Sequence, residues 1–226
     1  MIDYNRQYYE NYFRDNYNDT LLRGYGAEEC LEWASNSFQA GDWLDVGAGP
    51  CSFFWASAAP ADISSIVLAD RSITAPHITC RLAETRDWPV GYREAAEYLG
   101  RSAQHLDLLS QVPMTAIAFD AFSDWPPMQR FHSISAFGLL GLAQTDDEVS
   151  DFLGNAKQHL VRGGVLFGAS WIFSLAYAER LGGRKQCLNG LSEQLSSKGF
   201  VEVEVSTVPL VDQDDYVGIV LFRGRG

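Results

Sequence analysis

The sequence predicts an α/β protein built on a doubly wound, seven-stranded sheet, mostly parallel with one antiparallel strand, with helices on both faces and a helical N-terminal segment. Three observations predict it. Residues 43 to 54, Trp-Leu-Asp-Val-Gly-Ala-Gly-Pro-Cys-Ser-Phe-Phe, read as a buried strand, a tight glycine turn and a helix start. Beyond them, apolar strand-like runs alternate with helical runs, the pattern of parallel strands joined by crossover helices. Finally, 226 residues at 46% hydrophobic content with no linker-like run suffice for one large domain, 1–226, with a substantial core.

The elements follow in order. The N-terminal 40 residues carry Tyr4, Tyr8, Tyr9, Tyr12, Phe13 and Tyr17, and Tyr8 and Tyr12 would share one face of a helix. Aromatics so spaced either pack on a core or offer π faces to a cation, worth about 0.5 to 2 kcal/mol; both readings stay open. A helix over about 27–38 is marked by Cys30, Leu31, Ala34 and Phe38 and should pack on the sheet. The first strand and turn follow, then a second strand over 63–69 that ends in Asp70. Residues 75–110 are irregular and mostly helical, with a break at Trp88-Pro89. Strands are expected over 112–119 and 131–137, separated by Asp120-Ala121 and a Trp125-Pro126-Pro127 loop. A helix over 146–160 opens on Asp146, Asp147 and Glu148, which suit its positive end. Arg162-Gly163-Gly164 reads as a turn into a fifth strand at 165–171, then a helix at 188–197 and strands at 200–208 and 215–222. The short connection between the last two makes one of them antiparallel.

The glycine turn is the candidate ligand site. Gly47 and Gly49 lack a Cβ, so the backbone can turn sharply and a ligand can approach the strand end, while Pro50 suits a helix start. A purely structural turn would use the same residues; Asp70, about 20 residues on and ending the next strand, is what points to a ribose. The third glycine of the dinucleotide fingerprint is missing, which disfavours a pyrophosphate. Asp45, inside the strand, suits a cationic amino-acid group instead. S-adenosylmethionine has such a group and no phosphates. These residues resemble motif I of the class I S-adenosylmethionine-dependent methyltransferases.

Acidic residues outnumber basic ones 29 to 17, a net charge of −12, which repels phosphate backbones and argues against a nucleic-acid partner. The four cysteines are widely spaced, with no metal-ligand pattern, and read as reduced core thiols. With neither a leader-like N-terminus nor an apolar run near the roughly 20 residues of a membrane span, a cytoplasmic protein without membrane partners is expected, its oligomeric state open.

Nearly the whole chain resembles, more narrowly, the nicotinamide, phenylethanolamine and indolethylamine N-methyltransferases. Tyr8-Tyr9-Glu10-Asn11-Tyr12-Phe13 is similar to that group's lid, residues 43–50 to its Ile-Asp-Ile-Gly-Ser-Gly-Pro segment, and residues 66–72 to its strand ending Asp-Tyr-Ser. Pro126-Pro127 with Ser133 to Leu140, and Leu160 to Leu166, match its later segments in order. The resemblance implies a cofactor site of Tyr8, Tyr12, Asp45, Gly47, Ala48, Gly49, Phe53, Asp70, Arg71, Asp120, Ala121, Ser135 and Ala136, with Asp120 placed to accept from the adenine amino group. It implies Tyr177 toward the acceptor. Ala75 and Ala136 stand where the group has asparagine and threonine, so cofactor contacts are fewer, and Leu140 and Ser170 stand where it offers acceptor carboxylates, so a cationic acceptor loses its obvious partners.

Three functions therefore stay open. One is methyl transfer to a small molecule, with Tyr177 and His132 the candidate proton acceptors. A second makes S-adenosylmethionine itself the substrate, cyclised to azetidine-2-carboxylate with release of methylthioadenosine. The third is a binding protein that kept the fold without the chemistry.

Overall fold

The computed structural model describes residues 6–102, 104–211 and 213–226, so Tyr4 lies outside the described residues. The strands are β1 Gly41–Val46, β2 Ile63–Asp70, β3 Met114–Ala118, β4 Phe131–Phe137, β5 Leu160–Phe173, β6 Val201–Pro209 and β7 Tyr216–Arg225. They form one sheet in the order β3-β2-β1-β4-β5-β7-β6. Pairs from β3 through β5 are parallel, and β7 runs antiparallel to both β5 and β6. The chain winds outward from β1 to β3 and then returns to β4 on the other side of β1. This reversal leaves a crevice over the C-terminal ends of β1 and β4, where open α/β sheets bind ligands.

The helices are α1 Arg6–Phe13, α2 Ala27–Ser35, α3 Ser52–Ala56, α4 Thr74–Thr85, α5 Val90–Tyr98, α6 Gln104–Leu109, α7 Asp146–His159, α8 Leu175–Arg180 and α9 Leu191–Ser197. A π-helical turn, Arg14–Asn18, continues α1, and a 3₁₀ turn, Leu140–Leu142, follows β4. Alternation along the strands splits the core into two layers. On one face Trp43, Ile66, Leu68 and Phe167 meet Leu31, Phe54, Tyr92 and Leu106 from α2, α3, α5 and α6. On the other, Leu44, Val46, Ile134, Ala136, Leu166 and Phe222 meet Phe152 and Leu153 of α7 and Leu195 of α9. Full burial of each large side chain contributes roughly 1.5–3 kcal/mol, so these layers are the main source of stability.

Most expected elements are present with shifted ends. The helix expected to reach Phe38 stops at Ser35, and Phe38 turns in edge-on against Trp43 and Phe167. Residues 75–110 resolve into α4, α5 and α6; the break at Trp88-Pro89 is real, because Pro89 caps α5 while Trp88 donates to Asp107 (2.7 Å) and stacks on Phe53. The Arg162-Gly163-Gly164 turn is a correction. It is a bulge inside β5, which begins directly after α7 because Leu160 pairs with Phe131 across it. The last helix is shorter than expected, and α8 is an element the sequence pattern did not reveal.

Candidate functional site

At the C-terminal end of β1 the chain makes the turn Gly47-Ala48-Gly49-Pro50-Cys51 into α3. Gly47 and Gly49 have φ of +69° and +53°, which side chains with a Cβ rarely adopt. A Cβ on Gly47 would press on Leu139, whereas one on Gly49 would meet nothing closer than 3.9 Å. The turn therefore needs glycine for its conformation and leaves room beside Gly49. The Ala48 N–H donates to the Ala69 carbonyl (3.0 Å), tying the turn to β2.

Asp70 ends β2 beside this turn. Its Oδ2 accepts from the Gly49 N–H (3.1 Å) and its Oδ1 from the Ser72 N–H (3.0 Å). Burial raises its pKa, opposed by these two bonds, by neighbouring Arg71 and by the Tyr9 hydroxyl. Its lone pairs thus face both the glycine turn and α1. Asp120, exposed at the end of β3, spends one oxygen on the Phe122 N–H (2.9 Å), and Phe119 donates to the Asp70 carbonyl (3.1 Å), so both acids stand on one edge of the sheet.

Asp45 shares the inner face of β1 with Trp43 and is 2% exposed. Ser135 on β4 donates to its Oδ1 (2.6 Å) and accepts from the Trp43 Nε1–H (2.8 Å). Ser52 lies on its other side but spends its single proton on the Ala48 carbonyl (3.1 Å), so Oδ2 has no partner among the described residues. Burial lifts the carboxyl to about 6, the Ser135 hydrogen bond opposes the rise, and Asp70 adds to it. An orphaned carboxylate oxygen at such burial is costly unless a donor or cation arrives. Two acids flanking a turn with glycine at two of its positions suit a ligand with a hydroxylated sugar and a positive group. The amino-acid and ribose parts of S-adenosylmethionine fit that description.

Tyrosines close over this edge. The Tyr9 hydroxyl of α1 faces Asp70 and Ser72, and burial, followed by Asp70, pushes it up to about 12. Tyr12 stacks at 6.4 Å on Tyr8, and Tyr17, from the π-helical turn, lies 5.9 Å from Tyr12 and edge-on to Phe54. The Tyr17 hydroxyl faces Tyr12 and the Cys51 thiol, and burial raises all three pKa values, so each stays protonated at neutral pH. Tyr12 is nevertheless 39% exposed: its hydroxyl reaches inward while part of its ring meets solvent. Tyr216 joins from the other side, facing Tyr177 and Tyr8, with the Tyr177 ring 5.4 Å away. Two grooves elsewhere, about 660 Å³ between α1 and α4 and about 540 Å³ beneath β6 and α9, are lined by none of these residues.

The sequence-derived residues divide accordingly. Gly47, Gly49, Asp70, Arg71, Asp120, Tyr8, Tyr12 and Tyr177 lie along the crevice edge, and Asp45, Ala48 and Ser135 are buried beneath it. His132 does not. It is the second residue of β4, at the opposite edge, about five residues or roughly 16 Å from that strand's C-terminal end. There its Nδ1 accepts from the Asp42 N–H (3.1 Å) and stands 3.8 Å from the Asp42 carboxylate. Phe53 and Ala136 are fully enclosed, Phe53 stacked on Trp88 and Ala136 in the opposite core layer from Ser135 because adjacent strand residues alternate. Ala121 is also core. Leu140 and Ser170 offer an acceptor nothing: both are 0% exposed, and Ser170 Oγ accepts the Gly141 N–H (3.1 Å).

From the sequence, Tyr9 and Tyr17 are named only as members of the N-terminal aromatic cluster, and Tyr216 is not named at the crevice at all. Tyr9 is four residues from Phe13, a second helical face that the Tyr8–Tyr12 spacing obscured. Tyr216 was reachable from topology: the first residue of an antiparallel strand sits at the edge where its parallel neighbours end, here opposite Phe173.

No protein-family model matches the sequence, and no curated protein aligns with it significantly. Solved structures do. The N-methyltransferase NodS from Bradyrhizobium japonicum, in complex with S-adenosylhomocysteine, is 16% identical with a TM-score of 0.62 over 96% of this chain and 97% of its own. DhpI, also solved with S-adenosylhomocysteine, is 16% identical with a TM-score of 0.59 over 97% and 94%. The S-adenosylmethionine-dependent methyltransferase SibL is 14% identical, with a TM-score of 0.58, over 90% of this chain and 54% of its own. At these identities the likeness is one of fold, and the fold is the Rossmann-like one of class I methyltransferases.

Proposed function

We propose that this protein binds S-adenosylmethionine and transfers its methyl group to a small-molecule acceptor. The observation that carries the reading is the unpartnered, buried Asp45 oxygen beneath the Gly47–Gly49 turn, with Asp70 beside it. The fold likeness to NodS and DhpI, both solved with S-adenosylhomocysteine, supports it. Asp70 would accept from the ribose hydroxyls and Asp45 from the α-ammonium group. When bound, the compound supplies an electrophilic carbon on a sulfonium. The residues of the chain orient it, exclude water and surround the positive sulfur with the rings of Tyr8, Tyr12, Tyr177 and Tyr216. The finer likeness to the nicotinamide-type N-methyltransferases belongs to the same proposal, resting on the N-terminal tyrosines and the glycine turn.

A second reading, cyclisation of S-adenosylmethionine to azetidine-2-carboxylate and methylthioadenosine, is favoured by specific observations. Leu140 and Ser170 give an acceptor no polar surface, and the tyrosines already meet over the crevice. In addition, Asp45, raised to about 6, is a better proton acceptor than an ordinary carboxylate for the amino group that would attack the γ-carbon.

Mass spectrometry of products decides between them. The protein is incubated with S-adenosylmethionine alone and with a panel of small amines, phenols and thiols. S-adenosylhomocysteine formed only with an acceptor supports methyl transfer; methylthioadenosine formed without one supports cyclisation. Binding with neither product refutes both and leaves the non-catalytic reading.

A further inference from the structure

The Asp45 carboxylate is held asymmetrically. Oδ1 takes the short 2.6 Å bond from Ser135, whose oxygen also accepts from Trp43 Nε1–H at 2.8 Å. A serine hydroxyl has one proton, and because the indole only donates and the carboxylate only accepts, that proton points to Asp45. Trp43, Asp45 and Ser135 are 0%, 2% and 0% exposed, so water does not compete for these groups. Across β1, Asp45 lies in register with Ser135, and Trp43 with Ser133, which sets the spacing of the chain of bonds. Oδ2 is left on the side of Ser52 and Asp70, beneath the glycine turn, with no partner among the described residues.

We propose that Trp43 and Ser135 are positioning residues: their relay locks Asp45 so that Oδ2 is the acceptor for the ligand's α-ammonium group, making the amino-acid end a determinant of recognition separate from the nucleoside. This rests on the S-adenosylmethionine reading above and deepens it. Neither side chain touches the ligand. Ser135, grouped by the resemblance with cofactor contacts, instead acts through Asp45, and Trp43 acts through Ser135. The ribose acid, Asp70, draws its bonds from Gly49 and Ser72 and shares none with the relay, so loss of the relay leaves those bonds in place.

The test compares two ligands by calorimetry, S-adenosylhomocysteine, which carries the amino-acid end, and methylthioadenosine, which lacks it. Ser135→Ala removes a bond to a charged group and should weaken S-adenosylhomocysteine about ten-fold while methylthioadenosine binds within about two-fold of the parent. Trp43→Phe keeps the Ser135–Asp45 bond and loses only its orientation, so a smaller loss of the same selectivity is expected. Thermal melting followed by circular dichroism is the check on folding: if Ser135→Ala fails to fold, Trp43→Phe decides. Equal weakening of both ligands, or of neither, in a folded variant overturns the positioning role. A parent protein that binds neither ligand overturns the S-adenosylmethionine reading itself, and the proposal with it.

Discussion

Asp45→Asn should make the protein more stable at neutral pH while weakening its ligand. Burial raises the native carboxyl from the ordinary 3.8 to about 6, and at 2% exposure solvent screening does not reduce that cost. Between these values the native protein binds more protons than the unfolded chain, so stability falls as pH rises through the window and the loss is complete above the native pKa. About two pH units at 1.36 kcal/mol each is about 3 kcal/mol. An asparagine keeps an oxygen for Ser135 and carries no charge, so the variant escapes this loss. Its donor group adds a roughly pH-independent offset of about 1–3 kcal/mol if left without a partner. The informative quantity is the double difference: the stability of Asp45→Asn relative to the parent should rise by about 2 kcal/mol between about pH 4, where a little of the loss has already occurred, and about pH 7.5. Urea unfolding followed by tryptophan fluorescence at the two pH values measures it. Parallel dependence of the two proteins would refute the reasoning, since Asp45 would then not bear an uncompensated charge.

Asp70→Ala should weaken S-adenosylmethionine by roughly 1.5–3 kcal/mol for each charge-assisted bond to the ribose; unchanged affinity by calorimetry contradicts the ribose assignment. Tyr12→Ala should lower turnover more than global stability, because its ring is 39% exposed and its inward contacts are with the other tyrosines of the crevice. If it melts the protein while the folded fraction keeps its full rate, the N-terminal helix is a packing element and not a lid.

Strand and turn around residues 43–54 were legible because each rests on local chemistry, an apolar run and two Cβ-free residues with positive φ; the helix begins only at Ser52 with Cys51 as its N-cap, so Pro50 precedes it rather than opening its first turn. The Asp70 position was legible for the same reason, as the end of the next apolar strand. Antiparallel β7 followed from the short connection. Boundaries were less so: α2 ends three residues early because Phe38 is drawn off the helix to pack on Trp43 and Phe167, a contact made across the sheet.

By itself, then, the sequence determined the order and type of the main elements, the glycine turn and the pair of acids on either side of it, since these depend on residues a few positions apart. Only the tertiary structure decided which of the named side chains meet. His132, Ser135 and Ala136 lie on one strand, yet His132 stands at the far edge and Ala136 in the core layer opposite Ser135, because strand direction and face are set by pairing with β1 and β5. Tyr9 against Asp70 and Tyr216 against Tyr177 bring α1 and α8 onto strand ends, and the Trp43–Ser135–Asp45 relay joins β1 and β4 through their register. The unpartnered oxygen of Asp45 is likewise a tertiary result: it arises because Ser52 donates its one proton to Ala48 instead, a choice made by the geometry of the turn into α3.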